Sequence, residues 1–106
     1  MSDTFDLVSH LARQHAFSQA TFGPGERTEG VLRHLEKEID EARKNPHDLM
    51  ERIDIIILGF DGALREGFTP QEIVDGLVAK QTENEGREWP DWRLSDPDQP
   101  IEHVRG

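Results

Sequence analysis

Cysteine and tyrosine are both absent from the 106 residues. Without cysteine there is no disulfide, no thiol nucleophile, and no Cys-ligated zinc or iron–sulfur cluster. Aromatic residues amount to 7% and the hydrophobic set to only 34%, so a core exists but is thin. A single domain of this length buries a modest share of its surface alone, and oligomerisation is the natural remedy. Long apolar runs are missing too. The longest is IIILGF at residues 55–60, far short of a membrane span. The opening MSDTFDLVSHLARQ has no basic segment followed by an apolar core, so a secretory signal is not expected. Those features predict a cytoplasmic protein without a membrane partner. Positive charge is scarce: 12 basic against 22 acidic side chains give a net charge of −10. Such an excess disfavours a grip on a nucleic-acid polymer or an anionic membrane.

What remains is helical. β-Branched residues are sparse outside Ile53 to Ile57, and no stretch sustains the alternation that a half-buried strand requires. Four helices are expected. The first runs from about Asp3 to Gln19, with Phe5, Val8, Leu11, Ala12 and His15 at helical spacing, and ends in the Gly-Pro-Gly of residues 23–25. The second runs from Thr28 to about Lys44 over the stripe Val31, Leu32, Leu35, Ile39 and Ala42. Asn45-Pro46 stops it and opens the third, with Asn45 as cap and Pro46 in the first turn. Gly67 supplies a left-handed stop after Glu66. Thr69-Pro70-Gln71-Glu72 reads as a capping box opening the fourth helix, which reaches about Asn84. From Gly86 the chain turns rich in Pro, Asp and Gly. Short connections suggest an antiparallel four-helix bundle with a longer crossover between the first two helices.

The candidate chemistry lies on the second and third helices. Glu38 and Glu41 are three residues apart and project from one face, as do Glu51 and Asp54. Glu38 sits at the edge of the apolar stripe, with Glu41 and His34 on the same flank. In the third helix Ile53, Ile55, Ile56, Ile57, Leu58 and Phe60 place apolar groups almost all round, which predicts burial on most sides. Asp54 lies within that run and Asp61 seven residues on, and a buried carboxylate is costly unless paired or metal-bound. Two adjacent antiparallel helices can turn both pairs into one cleft, and four oxygen ligands suit Mg²⁺ or Mn²⁺. Spacing alone leaves a second reading open: a solvated acidic face, neutralised by Arg33, Arg43 or Arg52.

A basic counterpart closes the fourth helix. Lys80, Asn84 and Arg87 are four and three residues apart, on one face and its exit. A Lys, an amide and an Arg together can clamp an anion, the Arg in a fork and the Lys as a point charge. Ion pairs with Glu83 and Glu85 account for the same pattern without a ligand. Trp89 and Trp92 read as covers for a core more readily than as platforms for base stacking.

Taken in order, these residues resemble the all-α MazG-like nucleotide pyrophosphohydrolase superfamily, and within it the dATP/dGTP pyrophosphohydrolase branch found in phages and prophages. The resemblance rests on Thr-Phe-Gly-Pro at residues 21–24, His-Leu-Glu-Lys-Glu at residues 34–38 with Glu41, Asp48-Leu49 leading into Glu51 and Asp54, and the run from Lys80 to Pro90. It spans about residues 5–93, leaving residues 94–106 as an extended tail. The chain departs from the pattern at Lys37, where superfamily members often carry a glutamate. The nine residues between Glu41 and Glu51 are also fewer than in many members, and a hairpin one turn shorter keeps both pairs facing.

The resemblance implies a four-helix MazG-like bundle that assembles as a homodimer or homotetramer through its apolar helices. It implies that Glu38, Glu41, Glu51 and Asp54 hold two or three Mg²⁺ or Mn²⁺ ions and carry catalysis. Lys80, Asn84 and Arg87 would bind phosphate oxygens. His15, Phe17, Ser18, Gln19, Phe22 and Trp89 would form the base and sugar pocket. The implied reaction is hydrolysis of a purine deoxynucleoside triphosphate, dGTP or dATP, to the monophosphate with pyrophosphate or two phosphates. The alternative from another class is a non-catalytic acidic adaptor or DNA mimic, motivated by the net charge. Mimics spread carboxylates over an exposed face and have no use for a Lys–Asn–Arg clamp.

Overall fold

The computed structural model describes residues 4–105. Four α-helices follow in order: α1 (Leu7–Phe22), α2 (Thr28–Lys44), α3 (Leu49–Arg65) and α4 (Pro70–Gly86), then a short 3₁₀ turn, Trp92–Leu94. No strand occurs among the described residues. The expected start of the first helix at Asp3 lies outside them. Within them α1 is capped by Asp6, whose carboxylate accepts from the Ser9 backbone N–H at 3.1 Å. It continues past Gln19 to Phe22, so Phe22 closes the helix instead of opening a loop. Gly23, at φ 89°, ends it by donating its N–H to the Gln19 carbonyl oxygen.

The start of α3 differs from expectation. Asn45 caps the end of α2, its N–H and its side-chain amide both donating to the Glu41 carbonyl oxygen. Pro46 lies in the turn, and Asp48 is the N-cap, accepting from the Met50 N–H at 2.9 Å. Both Asn and Asp make good caps; Asp48 prevails because Asn45 is already engaged in finishing α2. At the far end Gly67 (φ 99°) donates to the Leu64 carbonyl oxygen and Phe68 to that of Ala63. This is the paired bonding of a Schellman stop. The capping box of α4 forms as expected: Glu72 N–H donates to Thr69 Oγ1 at 3.1 Å, and Thr69 N–H to Glu72 Oε1 at 3.0 Å.

The chain forms two compact units, Met1–Val74 and Asp75–Gly106. In the first, α2 and α3 form an antiparallel hairpin. Thr28 at the start of α2 donates its hydroxyl to Glu66 just beyond α3, and Gly62 lets Val31 approach so closely that a Cβ would sit 3.4 Å from its Cγ1. Helix α1 packs on α3 in the same direction, Gln14 reaching the Ile57 carbonyl oxygen and Ser18 reaching Arg65. The buried apolar residues are Leu11, Val31, Ala42 and Leu64. That small core corrects one expectation: α3 is not enclosed on most sides. Ile56 is 50% exposed and Asp54 is exposed as well, because α1 and α2, the helices packed on α3, leave that face uncovered.

In the second unit the rest of α4 leads into an extended tail. Trp89 donates its indole N–H to the Asn84 carbonyl oxygen at 2.7 Å and meets the His103 ring edge-on. Val104 N–H donates to the Glu88 carbonyl oxygen at 2.8 Å, tying residues 103–104 back beside the helix exit.

Candidate metal and nucleotide site

Glu38 projects from the middle of α2, Glu51 from the first turn of α3, and Asp54 from the next turn. The antiparallel hairpin brings one carboxylate oxygen of each within 4.8 Å of the others. Asp48 serves this arrangement indirectly: by capping α3 it fixes where the helix begins, and so where Glu51 and Asp54 point. Glu41, one turn beyond Glu38 and half-buried, stands outside this group of three yet close enough for its charge to act on Glu51. His34 lies one turn before Glu38, with Nε2 3.3 Å from Glu38 Oε1.

The electrostatics are self-repelling. The Glu51 carboxyl is held above the ordinary carboxylate range, first by its removal from water and then by the charges of Asp48, Glu38, Glu41 and Asp54. Like charges at such range disfavour ionisation. Three convergent oxygens without a lysine or arginine among them are what a hard divalent cation needs. The donor set fits Mg²⁺ or Mn²⁺, and the alternative ion-pair reading is not borne out at this group. Arg33 pairs with Glu29 and Arg43 with Asp40, both on the surface of α2.

A cavity of about 210 Å³ opens beside these carboxylates. Glu38, Asp54 and His34 line one part of it, and Phe17, Phe22 and Ser18 of α1 another. The two phenylalanine rings meet edge-to-face with centroids 6.2 Å apart. Of the expected pocket residues, Phe17, Ser18 and Phe22 are therefore together at the cavity. Gln19 is exposed and His15 half-buried, its Nδ1 without a hydrogen-bond partner; neither is among the lining residues. Trp89 belongs to the other unit, bonded as described above.

Three polar lining residues escaped the sequence reading of the pocket: Gln14, His34 and Asp61. Gln14 donates to the Ile57 carbonyl oxygen at 2.8 Å and pairs with His10. Asp61 is bonded to Arg65, whose Nε lies 3.1 Å from Asp61 Oδ2. The signal was present in the sequence as an Asp and an Arg four residues apart in the otherwise apolar second half of α3, a spacing that lets them pair. Arg65 also donates from Nη1 to the carbonyl oxygens of Gly23 and Gly25, both at 2.9 Å, and from Nη2 to the Ser18 carbonyl oxygen and hydroxyl. One buried guanidinium thus ties α3 to the end of α1 and to the loop that follows it.

In the second unit Lys80, Asn84 and Arg87 do share a face. They gather around Glu83: Lys80 Nζ lies 3.4 Å from its carboxylate, Arg87 is hydrogen-bonded to it, and Arg87 Nη1 donates to Asn84 Oδ1 at 3.3 Å. The ion-pair reading holds for this group as it stands. Glu85 instead accepts from Gln81.

The sequence pattern of the dATP/dGTP pyrophosphohydrolase family matches residues 11–105. The chain belongs to that family. In fold it is similar to a solved MazG-like pyrophosphohydrolase of cyanophage S-2L, bound to dGDP and three catalytic Mn²⁺ ions per active site. The TM-score is 0.71 at 26% identity, over 95% of this chain and 96% of that one. No curated protein matches the sequence. The fold is therefore MazG-like and all-α among the described residues, and the family's coarse activity, hydrolysis of deoxynucleoside triphosphates by a pyrophosphohydrolase, extends to this member. No described helix is long and apolar enough to cross a membrane.

Proposed function

We propose that this protein hydrolyses a purine deoxynucleoside triphosphate, dGTP or dATP, to the monophosphate and pyrophosphate, with Mg²⁺ or Mn²⁺ held by Glu38, Glu41, Glu51 and Asp54. The observation that carries the proposal is the convergence of three carboxylates from two helices within 4.8 Å, at the rim of a cavity walled by Phe17 and Phe22. A DNA mimic has no reason for that convergence. Bound there, two or three divalent ions supply Lewis-acid polarisation and neutralise the triphosphate.

The chain's own residues supply the rest. Glu38 is held by His34 on one side. A carboxylate of this group beside the ions would take the proton of an attacking water. Attack at the α-phosphorus breaks the bond to the β-phosphate bridging oxygen, and pyrophosphate leaves. Phe17 and Phe22 offer faces and edges for a base. We assign the phosphate oxygens to Lys80, Asn84 and Arg87, with the substrate taking the place of Glu83 as their counter-charge. His15, Gln19 and Trp89 remain proposed contributors to base and sugar binding, which the cavity lining does not by itself require. The exposed apolar face of α3 supports a homodimer or homotetramer, and we place the protein in the cytoplasm as an enzyme of phage or prophage type. We retain residues 1–93 as the hydrolase domain and residues 94–106 as its tail.

The test is incubation of the purified protein with each triphosphate and either metal, with chromatography of the products. Monophosphate and pyrophosphate are expected from a purine substrate, with Glu38→Gln and Asp54→Asn at least 100-fold slower. Equal rates in wild type and both variants would refute the assignment.

A further inference from the structure

We infer that Asp61 selects the base of the substrate, accepting a hydrogen bond from the N–H edge of guanine; the inference rests on the function proposed above. Asp61 lines the same cavity as Phe17, Phe22, Glu38 and Asp54. Only 9% of it is exposed, and its Oδ1 is buried with no hydrogen-bond partner. A buried acceptor in that state is costly, and where one persists in a cavity it points to a missing donor.

Arg65 is not that donor. It reaches Asp61 through Nε, to Oδ2 alone. Its four remaining N–H groups go to Gly23, Gly25 and the two oxygens of Ser18, and a guanidinium has five in all. The same bonds hold the Asp61 carboxylate in place. A carboxylate paired with a guanidinium is an acceptor only. Its Oδ1 therefore asks for an N–H or O–H from whatever fills the cavity.

Distance along α3 decides which part of a nucleotide that is. Asp54 and Asp61 are seven residues apart, which puts them on the same face about 10 Å from each other along the axis. Ile57 and Leu58, which also line the cavity, fall between them. With the phosphates at the Asp54 end, two helical turns carry past the sugar hydroxyl to the far edge of a purine. That edge in guanine presents two adjacent donors, the ring N1–H and the exocyclic 2-amine. In adenine it presents one amine beside the N1 lone pair, which repels a carboxylate oxygen. A fixed acceptor therefore favours guanine over adenine. A site built to bond a donor rejects the analogue lacking it far more strongly than an apolar pocket rejects a missing methylene.

The experiment measures kcat/KM for dGTP, dATP and the triphosphate of unsubstituted purine deoxyriboside, with wild type and Asp61→Asn. The wild type should prefer dGTP over both others by about 10- to 100-fold, the range of one hydrogen bond to a charged group, with the change mainly in KM. In Asp61→Asn the amide presents a donor, and the dGTP-to-dATP ratio should fall to about 1. Should the variant fail to fold, the wild-type series decides, because it alters only the substrate. Hydrolysis of all three at similar kcat/KM, or an unchanged preference in a folded Asp61→Asn, would overturn the role of Asp61 and leave the hydrolase assignment standing. No hydrolysis of any of them by wild type would overturn both.

Discussion

Arg65 donates to Ser18 twice, to its carbonyl oxygen at 3.1 Å and to its hydroxyl at 2.8 Å. The two residues are 47 positions apart, and the contact fixes the last turn of α1 against α3. Phe17 and Phe22 flank Ser18 on that turn. The wall of the cavity is therefore positioned by a buried ion pair on the opposite helix.

Replacing Arg65 by alanine should be severe. It strips the partner from a buried Asp61 and leaves the Gly23, Gly25 and Ser18 oxygens unbonded. Removing one member of a buried pair costs about 3–5 kcal/mol, a large part of the stability of a domain this size. Urea denaturation followed by circular dichroism measures it. Arg65→Lys should recover only part, since a lysine cannot reproduce the fork.

The charge cluster makes opposite predictions with and without metal. Glu51→Gln removes one of several mutually repelling carboxylates, so the metal-free protein should melt at a higher temperature than wild type. It also removes a proposed ligand, so the gain in melting temperature on adding Mn²⁺ should shrink. Scanning calorimetry with and without Mn²⁺ reads both; a lower metal-free melting point in the variant contradicts the electrostatic account.

The pH dependence follows from the same residue. Glu51 has its pKa raised in the folded chain, so its contribution to metal-free stability is complete below the unfolded value. That contribution is lost as pH rises through the folded one. Metal must displace that proton, so Mn²⁺ affinity should weaken as pH falls through the raised value, with proton release on binding. Asp6 has the opposite sign. Its pKa is lowered by the Ser9 hydroxyl and then by the Ser9 N–H, so its capping contribution is present above the unfolded value and lost as pH falls through the folded one. Calorimetric titration in buffers of differing ionisation enthalpy detects the released proton.

Two glycines should respond to alanine in opposite directions. Gly67 stops α3 at φ 99°, where a Cβ costs about 1–2 kcal/mol. Gly76 lies within α4 at ordinary helical angles with open space where a Cβ would go, so Gly76→Ala should stabilise by about 0.5–1 kcal/mol. Denaturant midpoints of the two variants give the comparison directly.

Sedimentation velocity should find a dimer or tetramer. Ile56, 50% exposed in the single chain, is a suitable probe: Ile56→Glu should shift the population to monomer, since a charge placed in an apolar interface is strongly disfavoured. A monomeric wild type would contradict the proposed assembly.

Much was legible in the sequence because it depends on neighbours a few residues away. The Thr69–Glu72 box, the Gly67 stop and the four helices are set by local hydrogen bonding and by 3.6-residue periodicity. The Glu38/Glu41 and Glu51/Asp54 pairs were visible for the same reason: residues three apart share a helix face whatever the helix packs against. What spacing could not give was competition and partnership at long range. Asn45 and Asp48 are both sound caps in isolation; the end of α2 claims the first and leaves α3 to the second. Asp54 lies in an isoleucine run that reads as buried, but α1 and α2, the helices packed on α3, leave that face uncovered. In the sequence Asp61 and Arg65 show no more than an i,i+4 spacing; the packing of α1 against α3 is what removes water from around them. A buried guanidinium must satisfy every donor, and only the tertiary structure could supply the Ser18, Gly23 and Gly25 oxygens that do so.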